Sequence, residues 1–103
     1  MAQLEQLLTQ LNRMRGVIAY YSIDLKGEVI ERLELKREGF PEEEVIELLQ
    51  RSVPVVELGP NLIYVEGEGV RLFIKKVDEN RFLAVVGGNE VIVPVALRIL
   101  ERS

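Results

Sequence analysis

The stretch GVIAYYSI, residues 16–23, constrains this chain more than any other, because it is apolar on both sides. Successive side chains of a strand point to opposite faces. Val17, Ala19, Tyr21 and Ile23 therefore share one face, while Ile18 and Tyr20 load the other. A strand backed by water alternates apolar with polar residues. This one needs cover on both faces, which makes it a central strand between two layers. Asp24, Lys26 and Gly27 follow as a turn, and a second arm runs from Glu28 to about Lys36. That arm scatters Glu28, Glu31, Arg32 and Glu34 along its length, the charge density of an edge strand that refuses further pairing.

The cover must come from helices. Residues 3–15 place Leu4, Leu7, Leu8, Leu11 and Met14 on one helical stripe, and Gly16 stops it. In PEEEVIELLQRS, Pro41 suits the first helical position, and Glu42, Glu43 and Glu44 complement the positive end of the dipole. A second helix is predicted over about 41–52, with Pro54, Gly59 and Pro60 breaking the chain after it. NLIYVEG reads as a third strand, EGEG as a turn, VRLFIKKV as a fourth strand and RFLAVV, after the Asp78-Glu79-Asn80 turn, as a fifth. Gly87, Gly88 and Asn89 end the sheet. A third helix is expected over about Val91–Arg102, with Pro94 tolerated only within its first turn. The order α-β-β-α-β-β-β-α implies an α+β fold: a single five-stranded antiparallel sheet with helices on both faces, residues 1–103 forming one domain.

Composition removes whole classes of function. Cysteine and histidine are absent, so disulfides, thiolate chemistry, His-based catalysis and the usual zinc sites are excluded. Ser22, Ser52, Ser103 and Thr9 are the only hydroxyls besides three tyrosines, and none has a histidine to activate it. The net charge of −4 argues against a nucleic-acid partner. Lys36-Arg37 and Lys75-Lys76 read as solvated strand ends. No apolar run approaches the ~20 residues that span a bilayer, and Met1 leads into an amphipathic segment without the basic start of a signal peptide. A cytoplasmic location is expected, with no membrane insertion. Asp24-Leu25-Lys26-Gly27 spells DxxG, but no phosphate-cradling G-x-x-x-x-G-K-[ST] accompanies it, so the turn reading stands. Glu42–Glu44 lack the companions of a metal site. No cofactor is implied, and the chemistry is recognition rather than catalysis.

The element order, together with LEQLLTQLNRM, the Gly-Val start of GVIAYYS and the Asp-x-x-Gly turn at Asp24–Gly27, resembles the roadblock family. This is the profilin-like, dynein light chain type, with bacterial relatives that partner Ras-like GTPases. The likeness covers nearly the whole chain. It implies the second helix on one face of the sheet and the first and third on the other. It also implies a homodimer with third strands paired edge to edge and second helices side by side, and a small Ras-like GTPase as partner.

Two features support that dimer independently of the resemblance. Val45, Ile46, Leu48, Leu49 and Val53 cover an arc of about 160°, wider than a sheet-facing stripe needs. Leu62, Ile63, Tyr64 and Val65 form a run with no charge inside it, an edge without protection. The dimer interface is therefore expected at Val45, Ile46, Leu48, Leu49, Leu62, Ile63, Tyr64 and Val65, with Glu42, Glu43, Glu47 and Arg51 flanking it as partner-binding residues. The competing reading is a wide helix stripe buried within the monomer, with the loop at 54–60 covering the strand. In function, the regulator of a GTPase stands against a structural adaptor that scaffolds larger assemblies.

Overall fold

All seven residues of the strand Val17–Ile23 are buried, and the remaining elements are arranged to keep them so. The computed structural model describes residues 2–26, 28–35, 42–57, 61–67 and 69–102. Gly27, Lys36, Arg37, Pro41, Gly59, Pro60 and Ser103 of the sequence reading lie outside the described residues. In chain order the elements are α1 (Ala2–Asn12), β1 (Val17–Ile23), β2 (Val29–Leu35), α2 (Glu42–Glu57), β3 (Leu62–Gly67), β4 (Val70–Asp78), β5 (Arg81–Gly87) and α3 (Val93–Glu101). The strands lie in the order β2-β1-β5-β4-β3, every neighbouring pair antiparallel, so β2 and β3 are the edges.

Two apolar layers hold the sheet. On one face Val45, Leu49 and Val53 of α2 pack on Ile18, Ala19, Tyr21 and Ile23 of β1 and on the inner strands β4 and β5. On the other, Leu7 and Leu11 of α1 and Ala96 and Leu100 of α3 pack on Val17, Tyr20, Phe73, Leu83 and Val85. Each large side chain removed from water contributes roughly 1.5–3 kcal/mol. The paired tyrosines tie one helix to each face. The Tyr20 hydroxyl donates to Asn12 Oδ1 at the end of α1, 2.9 Å away, and the Tyr21 hydroxyl donates to Glu42 Oε2 at the start of α2, 3.1 Å away.

Several expectations are corrected. The β1–β5 ladder shifts register between Val17 and Ala19. That bulge sends Val17 to the α1–α3 side with Tyr20, and Ile18 to the α2 side with Ala19 and Tyr21, so strict alternation fails between Ile18 and Ala19. The helix cover is uneven across the five strands: among the described residues the fully buried strand side chains of both layers come from β1, β4 and β5, and the rim strands β2 and β3 add half-buried ones. On β2, Val29 is half-buried against the α2 layer. The β2 ladder with β1 is interrupted by two register shifts, as suits a charged arm at the rim.

Helix α2 does not stop at 52; it runs to Glu57 with Pro54 inside it. An interior proline costs about 3 kcal/mol in an isolated helix, yet the turn on either side is held. Ser52 Oγ donates to the Leu48 carbonyl 2.8 Å away, and Val53 is locked in the core. Pro54 itself is exposed on the outer side, where the Gln50 carbonyl it deprives of an amide can meet water. Helix α3 is shorter than expected, with Pro94 in its first turn where proline is tolerated.

One close contact fixes how the chain passes between layers. Gly16 has φ +87°, and Gly88 N donates to its carbonyl at 2.8 Å. A Cβ on Gly16 would stand 2.8 Å from Val91 N, and one on Gly87 would overlap the Val91 side chain. Gly87→Ala is therefore expected to cost about 1–3 kcal/mol through overpacking. Gly16→Ala, which adds left-handed strain to its clash, should exceed it. Gly69, at φ +72° with open space around it, should lose only about 1 kcal/mol as alanine. Denaturant unfolding of the three variants checks this order.

Candidate interaction surface

The rim strand β3 has β4 as its one neighbour, paired from Leu62 opposite Lys75 to Gly67 opposite Val70. Its far side has no ladder partner among the described residues. Leu62 and Tyr64 lean toward the α1–α3 layer, Ile63 and Val65 toward α2, and all four are half-buried. None carries a charge. The Tyr64 ring lies tilted against Phe73, centroids 5.1 Å apart. Burial, and next the Glu66 carboxylate, hold its phenol above the ordinary tyrosine value, while Arg71 pulls the other way.

Helix α2 sorts its residues by direction. Val45 and Leu49 are fully enclosed beneath the helix, so they support α2 from within rather than face another molecule. At ~100° per residue, Ile46 falls on the flank of Glu42, which reaches across to Tyr21 of β1. Leu48 falls on the opposite flank, its Cδ2 3.1 Å from where a Cβ on Gly67 would sit. That flank adjoins β3. Val55, two turns further along it, is 49 % exposed. Sequence reasoning missed Val55 because it ended the helix at Ser52; the spacing Leu48, Ser52, Val55 was the available signal.

The predicted polar flank divides in the same way. Glu42 is half-buried and occupied by the Tyr21 hydroxyl. Glu43 is exposed. Glu47 and Arg51 form an i,i+4 pair with side chains 61 % and 73 % exposed, worth only a few tenths of a kcal/mol. Glu43, Glu47, Gln50 and Pro54 thus line the ridge of α2 that points away from the sheet.

Several polar groups elsewhere are committed to structure. Asp24 Oδ1 accepts the Lys26 and Glu28 amides, each at 2.9 Å, closing the first hairpin. Arg71 Nη1 donates to the Val91 carbonyl, pinning the loop between β5 and α3. Lys75 Nζ donates to the Leu100 carbonyl at the end of α3, and burial there holds its ammonium below the ordinary value, opposed by Glu101. An open groove of about 500 Å³ beside Asn61, Leu62, Lys76 and Glu101 mixes charges of both signs. No helix among the described residues is long and apolar enough to cross a membrane.

Compared as a sequence, the chain matches no protein-family model and no curated protein. Compared as a structure, it is similar to MglC from Myxococcus xanthus, with 16% identity, 99% of this chain and 92% of that chain covered, and a TM-score of 0.75. It is similar to the gliding protein MglB from Thermus thermophilus, with 18% identity, 95% and 88% covered, and a TM-score of 0.61. A Roadblock/LC7 domain from Streptomyces avermitilis gives 21% identity, 97% and 93% covered, and a TM-score of 0.61. The chain has the roadblock-type fold.

Two measurements check the local assignments. Tyr21→Phe removes the tether to Glu42 and should cost about 1 kcal/mol in denaturant unfolding. Tyr64 should ionise above pH 10, its ordinary value. Because the fold favours the neutral phenol, the stability it supplies is complete below that value and is lost as pH rises through the folded pKa. A spectrophotometric titration of the wild type against Tyr64→Phe isolates the group.

Proposed function

We propose, taking the roadblock-type fold as the premise, that residues 1–103 act as one domain forming a homodimeric cytoplasmic regulator of a small Ras-like GTPase. The observation that carries the reading is the one-sided rim strand β3, free of charge from Leu62 to Val65 with Glu66 following, and Leu48 and Val55 beside it on α2. An apolar edge without charges, proline or a covering element pairs readily with another strand. Pairing β3 with its twin joins Leu62–Val65 across the seam and brings the Leu48–Val55 flanks of two α2 helices together. Val45 and Leu49 hold those helices in place from below, and Ile46 stays on the far side.

Such a dimer displays two α2 ridges next to each other, with Glu43, Glu47 and Arg51 directed outward. This is the surface proposed for the GTPase. The chain contributes no catalytic side chain of its own. As an activating partner it would act by fixing the position of the GTPase's own groups, which carry the charge stabilisation of phosphoryl transfer.

Sedimentation at low micromolar concentration should give twice the monomer mass. Val55→Glu places a charge in the seam while leaving a side chain that is half in water in the monomer. It should weaken dimerisation by more than about tenfold, the equivalent of 1.4 kcal/mol, without changing the unfolding midpoint of the monomer. Mixing the protein with Ras-like GTPases of the same genome should yield a complex and faster phosphate release, both diminished by Glu43→Lys with Glu47→Lys. A monomer at all concentrations overturns the dimer. A dimer that binds no GTPase makes the protein a scaffold instead.

A further inference from the structure

We propose that the α1–α3 face of one copy docks on the outward α2 ridge of a second copy, making a contact distinct from the β3 seam. The largest exposed apolar side chain of the described residues is Ile92, 63 % exposed, and Val95 follows on the same flank at 45 %. With the half-buried Ile99 they occupy positions i, i+3 and i+7, one continuous strip along α3. Ile92 and Val95 of the strip are left to solvent in the monomer, whose core takes Ala96 and Leu100 from the inner side of the helix and leans on Ile99.

The charges around it indicate what covers it. Arg98 and Arg102 flank the strip on α3, and Arg13 and Arg15 stand at the end of α1, where Gly16 meets Glu90 and Val91 at the start of α3. Among the described residues none of the four guanidinium groups takes an ion pair or side-chain hydrogen bond. Glu90 and Glu101 are the acids nearest them among the described side chains. The opposite face of the sheet has the reverse character. The first two turns of α2 carry Glu42, Glu43, Glu44 and Glu47, with Arg51 the cation beyond them. One face is cationic with an apolar strip, and the other is an anionic helix ridge ending in Pro54. A second copy thus supplies the complement of what the first presents. A lipid surface fits less well: α3 has nine residues, the chain is net negative and the strip bears no aromatic anchor.

The contact joins unlike surfaces, so it closes into a ring or extends as a chain of copies. It leaves the β3 seam free and needs neither the seam nor the GTPase to form, but it covers the α2 ridge proposed for the GTPase, so the two would compete for Glu43 and Glu47. Sedimentation velocity on the full chain, at rising concentration in low salt, should show species beyond the dimer that dissociate near 1 M salt, where the screening length falls to about 3 Å. Arg98→Glu with Arg102→Glu should abolish these species, as should Glu43→Arg with Glu47→Arg. The two charge-reversed proteins mixed together should assemble again. Arg98→Gln with Arg102→Gln, without reversed charge, should weaken assembly less. Repeating the series with Val55→Glu separates the contacts, since chains lacking the seam should still associate through the charged faces. No species beyond the dimer at low salt overturns the proposal. So does assembly indifferent to both reversals, failure of the mixture to reassemble, or binding to anionic vesicles in place of self-association.

Discussion

The strand that must be buried on both sides determines the rest of this molecule. An apolar residue facing water on either side of β1 would forfeit a stabilisation of the size that decides whether a small domain folds at all. Only a layer on each face removes that liability, and α2 supplies one while α1 and α3 supply the other. The two tyrosines complete the arrangement. Their rings fill the layers and their hydroxyls reach the ends of the covering helices, so the polar tips are satisfied where an apolar interior would otherwise penalise them. Position of the helices, and hence of every residue on their outer faces, follows from these anchors.

Much of this was readable in the order of residues. Two-sided hydrophobicity identified β1 as central, charge identified β2 as a rim, and the leucine spacing identified α1. What escaped was the behaviour of particular backbones. The bulge after Val17 exchanges the faces of two neighbouring residues, and no side-chain pattern announces it. Pro54 reads as a stop because intrinsic preference is the only guide in a lone sequence, whereas burial of Val53 and the Ser52 back-bond carry the helix past it. Those extra turns bring Val55 to the rim.

At the candidate surface the edge position of β3 was legible in the sequence, and the direction of individual α2 residues was not. Leu62–Val65 occupy an open edge as their uncharged run suggested. The wide apolar arc of α2, however, serves two purposes. Val45 and Leu49 face inward, and Leu48 borders the rim. Periodicity gives the width of a stripe but not which of its margins lies beside a given strand. That required the contacts of Leu48 with Gly67 and of Glu42 with Tyr21.

Placing the acidic helix on one side of the sheet and the arginine-bearing pair on the other makes the molecule an electric dipole directed through the sheet. A body of this kind is turned by an approaching charged surface before any atoms touch. Its encounters therefore begin already oriented, and adding salt should slow its association rates before it loosens the complexes that result.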